Sequence, residues 1–114
     1  MSSKFYRGAL ILAALGAFFV SAPMVNAQPS PASNVMDAVA HAKEAVDHGK
    51  QGHADALVAH AEKSLQYAER GGKGSHVAEG MKHLKEAIEH GKAGHADVGT
   101  QHAEAALQHL SEAK

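Results

Sequence analysis

The chain has 114 residues, with 11 basic and 12 acidic side chains for a formal charge of −1, and no cysteine. That balance argues against nucleic acid or an anionic membrane as the main partner, and the missing thiols exclude a disulfide framework and a thiolate metal site. Against this plain background the chain carries ten histidines.

Residues 1–7 contain Lys4 and Arg7 and no acid, and residues 8–20 form an apolar run. The following SAPMVNA places Val25 and Ala27 at the −3 and −1 positions of a signal-peptidase site, so residues 1–27 are predicted to be an export signal cleaved after Ala27. The run is well short of the roughly 20 apolar residues that span a bilayer, and no membrane association is expected after cleavage. Residues 28–32, with Pro29 and Pro31, are predicted to be a disordered leader.

Residues 33–114 then form one small domain, and Tyr67 is its only Phe, Tyr or Trp. Its first helix shows Val35, Val39, Ala42 and Val46 at helical spacing, with Ser33 placed as N-cap and Gly49 as a left-handed C-cap. A second helix follows Gly52, with Ala54, Val58, Ala61 and Leu65 on one face. RGGKGS at 70–75 is a flexible link. Beyond it the third helix repeats the first, with Ser75 as N-cap, Val77, Met81, Leu84 and Ile88 on one face and Gly91 as C-cap. After Gly94 the fourth helix carries Ala96, Ala103, Leu107 and Leu110.

The halves are copies: residues 33–72 shifted by 42 positions onto 75–114 give 18 identities in 40 ungapped pairs, including GHAD at 52–55 and 94–97. Short turns force neighbouring helices to run antiparallel, so two helical hairpins imply an all-α antiparallel four-helix bundle.

All ten histidines fall in this domain at seven-residue steps. They are His41 and His48 on the first helix, His53 and His60 on the second, His76, His83 and His90 on the third, and His95, His102 and His109 on the fourth. At about 100° per residue this stripe lies roughly 130° from the centre of the apolar stripe, so the histidines are expected outside the core. Level residues in an antiparallel hairpin share a constant sum of numbers, which pairs His48 with His53, His41 with His60, His90 with His95, His83 with His102, and His76 with His109. Asn34 and Tyr67 occupy the one remaining rung. Histidines seven apart are about 10.5 Å apart along the axis, so each rung is expected to act as a separate site.

Asp37 and Glu44 on the first helix, and Glu79 and Glu86 on the third, stand three or four residues from those histidines and can share an ion with them. Asp55, Glu62, Asp97 and Glu104 stand two residues after a histidine, on another face, and read as solvating charges. Met36 and Met81 read as packing residues. Neutral imidazole with carboxylate suits Cu(II), Ni(II) and Zn(II), with affinity normally highest for copper. A catalytic zinc site gathers ligands around an open position in a cleft, whereas this pattern is spread along helices, so no enzyme activity is expected.

The repeated AHAKEAVDHGKQGHAD and KHLKEAIEHGKAGHAD, the export signal, the lack of cysteine and the histidine period resemble the small metal-binding proteins exported to the bacterial periplasm. The resemblance covers the domain and implies a four-helix bundle that binds several divalent ions, prefers copper and serves in periplasmic sequestration or tolerance; the chain is expected to be a monomer. Asn34 and Tyr67 depart from that pattern and put one site in doubt. Two other classes fit the histidines less well. One is a pH-responsive interaction module, opened by imidazoles that charge together. The other is a haem protein, for which the chain lacks both a CxxCH motif and large apolar side chains.

Overall fold

The computed structural model describes residues 28–113; the predicted export signal and Lys114 lie outside the described residues. Four helices follow one another: α1 (Pro31–Lys50), α2 (Ala54–Glu69), α3 (Ser75–Lys92) and α4 (Ala96–Glu112). Each packs against its chain neighbour, and α4 closes against α1, so the four stand at the corners of a square with only slight contact across the α2–α4 diagonal. This is the four-helix bundle the sequence implies.

Helix starts and stops differ from expectation in ways that have local causes. Helix α1 begins at Pro31, inside the predicted leader, because Ser30 is the N-cap: its Oγ accepts from Ser33 N at 3.1 Å, and Pro31 has no N–H to leave unpaired. Ser33 is therefore not the cap and instead donates its hydroxyl to Ser30 O at 2.9 Å. Helix α3 is capped by Gly74, and Ser75 is its first residue.

The turns also place their glycines differently. Gly49 and Gly91 lie inside helices, and the left-handed residues are Gly52 (φ +80°) and Gly94 (φ +85°). Two backbone hydrogen bonds close each turn: Gly52 N to Gly49 O at 3.0 Å and His53 N to His48 O at 3.0 Å, then Gly94 N to Gly91 O at 3.0 Å and His95 N to His90 O at 2.8 Å. This is the Schellman arrangement, in which the third helical residue from the end meets the second residue beyond the cap. An apolar pair usually occupies those positions. Here they are His48 with His53 and His90 with His95.

Gly49 and Gly91 serve packing. A Cβ on Gly49 would strike Thr100 Oγ1 and come within 2.6 Å of Leu57, and one on Gly91 would meet Val58 at 2.5 Å and Leu57 at 3.1 Å. Leu57 is fully buried, and a Cβ on Gly99 would also meet it at 3.3 Å, so one leucine occupies the space left by glycines from three helices. The rest of the core is mostly alanine: Ala38, Ala42, Ala45, Ala61, Ala68, Ala87, Ala103 and Ala106 are all fully buried. Leu84, Leu110, Val46 and Val77 complete it. The buried stripe of α2 is thus Leu57, Ala61, Ser64 and Ala68, turned slightly from the predicted one, with Val58 and Leu65 at its edge. Ser64 satisfies its buried hydroxyl by donating to Ala38 O at 2.6 Å.

The hairpins meet as near equivalents. Lys50 reaches Glu104 at 3.4 Å, and Lys92 reaches Glu62 at 3.4 Å, the same contact with the copies exchanged. These exposed ion pairs mark an approximate twofold axis and add little stability. Leu57→Ala is expected to destabilise the bundle by about 2–5 kcal/mol in chemical unfolding. Gly49→Ala should cost about 1–3 kcal/mol by overpacking, despite the better helix propensity of alanine; a more stable Gly49→Ala protein would contradict this packing account.

Candidate metal centre

The histidines occupy the α1–α2 and α3–α4 seams, which are opposite sides of the square. None of them belongs to the buried core, as the helical-wheel angle implies, and within each hairpin the two stripes converge on the seam. The side chains of His41, His60, His83 and His102 are only 25–28% exposed, because the partner helix of each hairpin covers them.

The expected pairs all form, with ring centroids 5.8 Å apart for His41–His60, 6.0 Å for His48–His53, 5.8 Å for His76–His109, 5.6 Å for His83–His102 and 6.2 Å for His90–His95. Rings at adjacent heights are just as close: His48–His60 at 5.1 Å, His83–His109 at 5.6 Å and His90–His102 at 5.3 Å. Isolated rungs are therefore not what the seams contain. Each seam holds a zigzag stack, Tyr67–His41–His60–His48–His53 on one side and His76–His109–His83–His102–His90–His95 on the other. The long imidazole side chains lean along the helices and close the axial gap that spacing alone predicts.

Carboxylates enter these stacks at equivalent points. Glu44 Oε1 lies 3.0 Å from His41 Nδ1 and 3.2 Å from His60 Nδ1. Glu86 Oε1 lies 3.4 Å from both His83 Nδ1 and His102 Nδ1, and those two nitrogens are 3.4 Å apart. Two ligands bonded to one ion at about 2.0–2.1 Å stand roughly 2.9–3.4 Å apart, so these separations match the edges of a coordination shell. Moreover, the Nδ1 atoms of His41, His48, His60 and His109 are shielded from solvent and have no hydrogen-bond partner. Glu44 is near His41 and His60 but off the line along which either ring could donate to it. A buried, unpartnered nitrogen costs about 1–3 kcal/mol, and a bound cation is the partner its lone pair suits.

Four groups bring three donor atoms within 4.8 Å of one another: His41, Glu44 and His60; His83, Glu86 and His102; Glu79, His83 and His109; and His76, His109 and Glu112. Asp37 joins none of them, and the turn pairs His48–His53 and His90–His95 have no carboxylate in such a group. These turn pairs are also the widest of their stacks, at 6.0 and 6.2 Å.

Glu112 is the donor that sequence reasoning overlooked. It lies 3.5 Å from His76 Nδ1 and follows His109 by three residues, the same step by which Glu44 follows His41. Its counterpart in the first hairpin is Arg70, and with Asn34 and Tyr67 this replaces a whole ligand group. Asn34 Nδ2 donates to Arg70 O at 3.3 Å, the Arg70 guanidinium stands 5.8 Å from the Tyr67 ring centre, and Tyr67 stacks on His41 at 5.5 Å. That end of the hairpin is closed by structural contacts where its copy offers ligands. Of the methionines, Met81 packs at the core edge, but Met36 does not pack as expected and is 71% exposed.

A family model described as small metal-binding protein matches residues 6–113. No curated protein matches the chain. Among the described residues, no helix is long and apolar enough to cross a membrane.

Restoring the missing group tests whether it is defined by these residues. The triple change Asn34→His, Tyr67→His and Arg70→Glu should add one tight equivalent of Zn(II) or Cu(II) in calorimetric titration; unaltered capacity would show that the seam geometry of the second hairpin does not carry over.

Proposed function

The chain belongs to the small metal-binding protein family, and we propose that it is an exported periplasmic protein that sequesters several divalent transition-metal ions, copper preferred, as a monomer. The observation that carries this reading is the repeated group of Glu44 between His41 and His60 and Glu86 between His83 and His102. All its donors come from one hairpin, so no second chain is needed to complete a site.

Copper preference follows from the donors. Imidazole nitrogen with carboxylate oxygen and no thiolate places Cu(II) above Ni(II) and Zn(II) in intrinsic affinity. Export follows from residues 1–27, whose charged start, apolar run and small residues at −3 and −1 have the form of a cleaved signal. The even spread of donors along two seams suits capacity, and we assign the protein a buffering role without an enzymatic reaction.

The number of tight ions follows from shared ligands. Of the four groups, the Glu79 group borrows His83 and His109 from its neighbours, which leaves three that can fill together: one in the first hairpin and two in the second. A neutral imidazole offers one lone pair, so a histidine serves one ion at a time.

At about pH 7.5, where free imidazole is mostly neutral, titration of the protein with Cu(II) should fill three tight equivalents. Glu44→Gln with His60→Gln should remove one of them, whereas His48→Gln with His53→Gln should remove none. Undiminished tight binding in the first variant would contradict the site assignment. If the unaltered protein binds no Cu(II) and instead loses helicity on mild acidification, the stacks are better read as a pH-responsive interaction surface.

A further inference from the structure

The second hairpin holds three ligand groups in a row, and the central one is built from parts of the other two. At one end stand His76, His109 and Glu112, at the other His83, Glu86 and His102; between them, Glu79 meets His109 of the first set and His83 of the second. The rings of His83 and His109 stack at 5.6 Å with only 9° between their planes. Resting on the metal-binding reading above, we infer that the Glu79 group is a transfer position through which an ion moves between the two flanking sites without leaving the protein.

The exclusion rule follows from imidazole chemistry. The neutral ring carries one lone pair in its plane, and the other nitrogen holds a proton. His83 and His109 therefore cannot each ligate two ions while neutral. When both flanking sites are filled, both histidines are engaged and Glu79 is left without partners. When one flanking site is free, an ion in the other can use the shared histidine as a pivot.

The exchange conserves ligands at every stage. An ion on His83, Glu86 and His102 keeps His83, gains Glu79 and His109, and releases Glu86 and His102. It then keeps His109, gains His76 and Glu112, and releases Glu79 and His83. No redox change is required, and no proton moves so long as His83 and His109 each keep the same ring nitrogen on the ion through the exchange. Without the central group, the ion would have to leave one flanking site and reach the other by dissociating into water.

The first hairpin lacks this route. Asp37 stands at the position of Glu79 with one methylene less reach, and Tyr67 stands at that of His109, so His41, Glu44 and His60 form a solitary site. The two halves of the duplication thus divide into a hairpin that holds one ion and a hairpin in which ions redistribute.

The test uses the protein with its first site removed by His41→Gln and His60→Gln, substoichiometric Zn(II), and NMR of the histidine rings. Signals of His76 and His102 should report exchange of Zn(II) between the flanking sites at a rate independent of protein concentration. Glu79→Gln should slow that rate by more than about ten-fold, the scale on which even indirect changes to metal sites act. Lys82→Gln, an exposed change on the same helix, should leave the rate unaltered, and circular dichroism should show equal helicity in all variants. A rate that rises with protein concentration, is insensitive to Glu79→Gln, or accompanies simultaneous filling of three tight equivalents in this hairpin would overturn the transfer route while leaving metal binding intact. Zn(II) that shifts no histidine signal would overturn the metal-binding reading, and the transfer route with it.

Discussion

The backbone hydrogen bonds from His53 N to His48 O and from His95 N to His90 O are the constraint on which the seams depend. Each closes a Schellman turn whose left-handed residue is Gly52 or Gly94, and each fixes which residue of one helix stands level with which residue of the next. In most proteins the side chains brought together by such a turn are apolar and only anchor the helix end. Here they are imidazoles. Because the seven-residue histidine step equals two helical turns, the register set at the turn extends along the hairpin and delivers each later imidazole to its partner.

The packing is consistent with a protein whose polar seams matter as much as its core. Alanine has little area to bury, so the core contributes less than the leucine-rich centre of an ordinary bundle of this size. It does, however, let helices approach closely. Gly49, Gly91 and Gly99 bring that approach to its limit around Leu57, and the close seams shield the Nδ1 atoms of His41, His48, His60 and His109. Those unpartnered nitrogens lower the stability of the free protein. An ion that binds them only in the folded state returns that stability through mass action, so fold and ligand occupancy are linked.

Much of this was legible in the sequence, and the limits were physical. The duplication, the number of helices, the histidine pairs and the loss of one rung at Asn34 and Tyr67 all follow from spacing. Spacing is one-dimensional, though, and does not say how far a side chain leans along its helix. For that reason the rungs merge into stacks, with His48–His60 at 5.1 Å closer than the level pair His41–His60 at 5.8 Å. Nor does a helical wheel include the partner helix, so it places the histidines outside the core, where they are, without showing that His41, His60, His83 and His102 are three-quarters covered in the seams. Gly49 and Gly91 looked like caps because a glycine near a helix end usually is one; only the neighbouring hairpin, with Leu57, Val58 and Thr100, shows why they are small. Glu112 was hidden by a generalisation about acids two residues after a histidine, to which its three-residue step is an exception.

The shielded seam between paired helices, beside Glu44 and Glu86, is the place we propose for the ions. Anomalous diffraction from crystals of the Cu(II)-loaded protein tests it most directly. Peaks are predicted in both seams, one bonded to His41, Glu44 and His60 and its twofold equivalent bonded to His83, Glu86 and His102. Peaks confined to the turn pairs His48–His53 and His90–His95, or to the outer helix faces, would contradict the account.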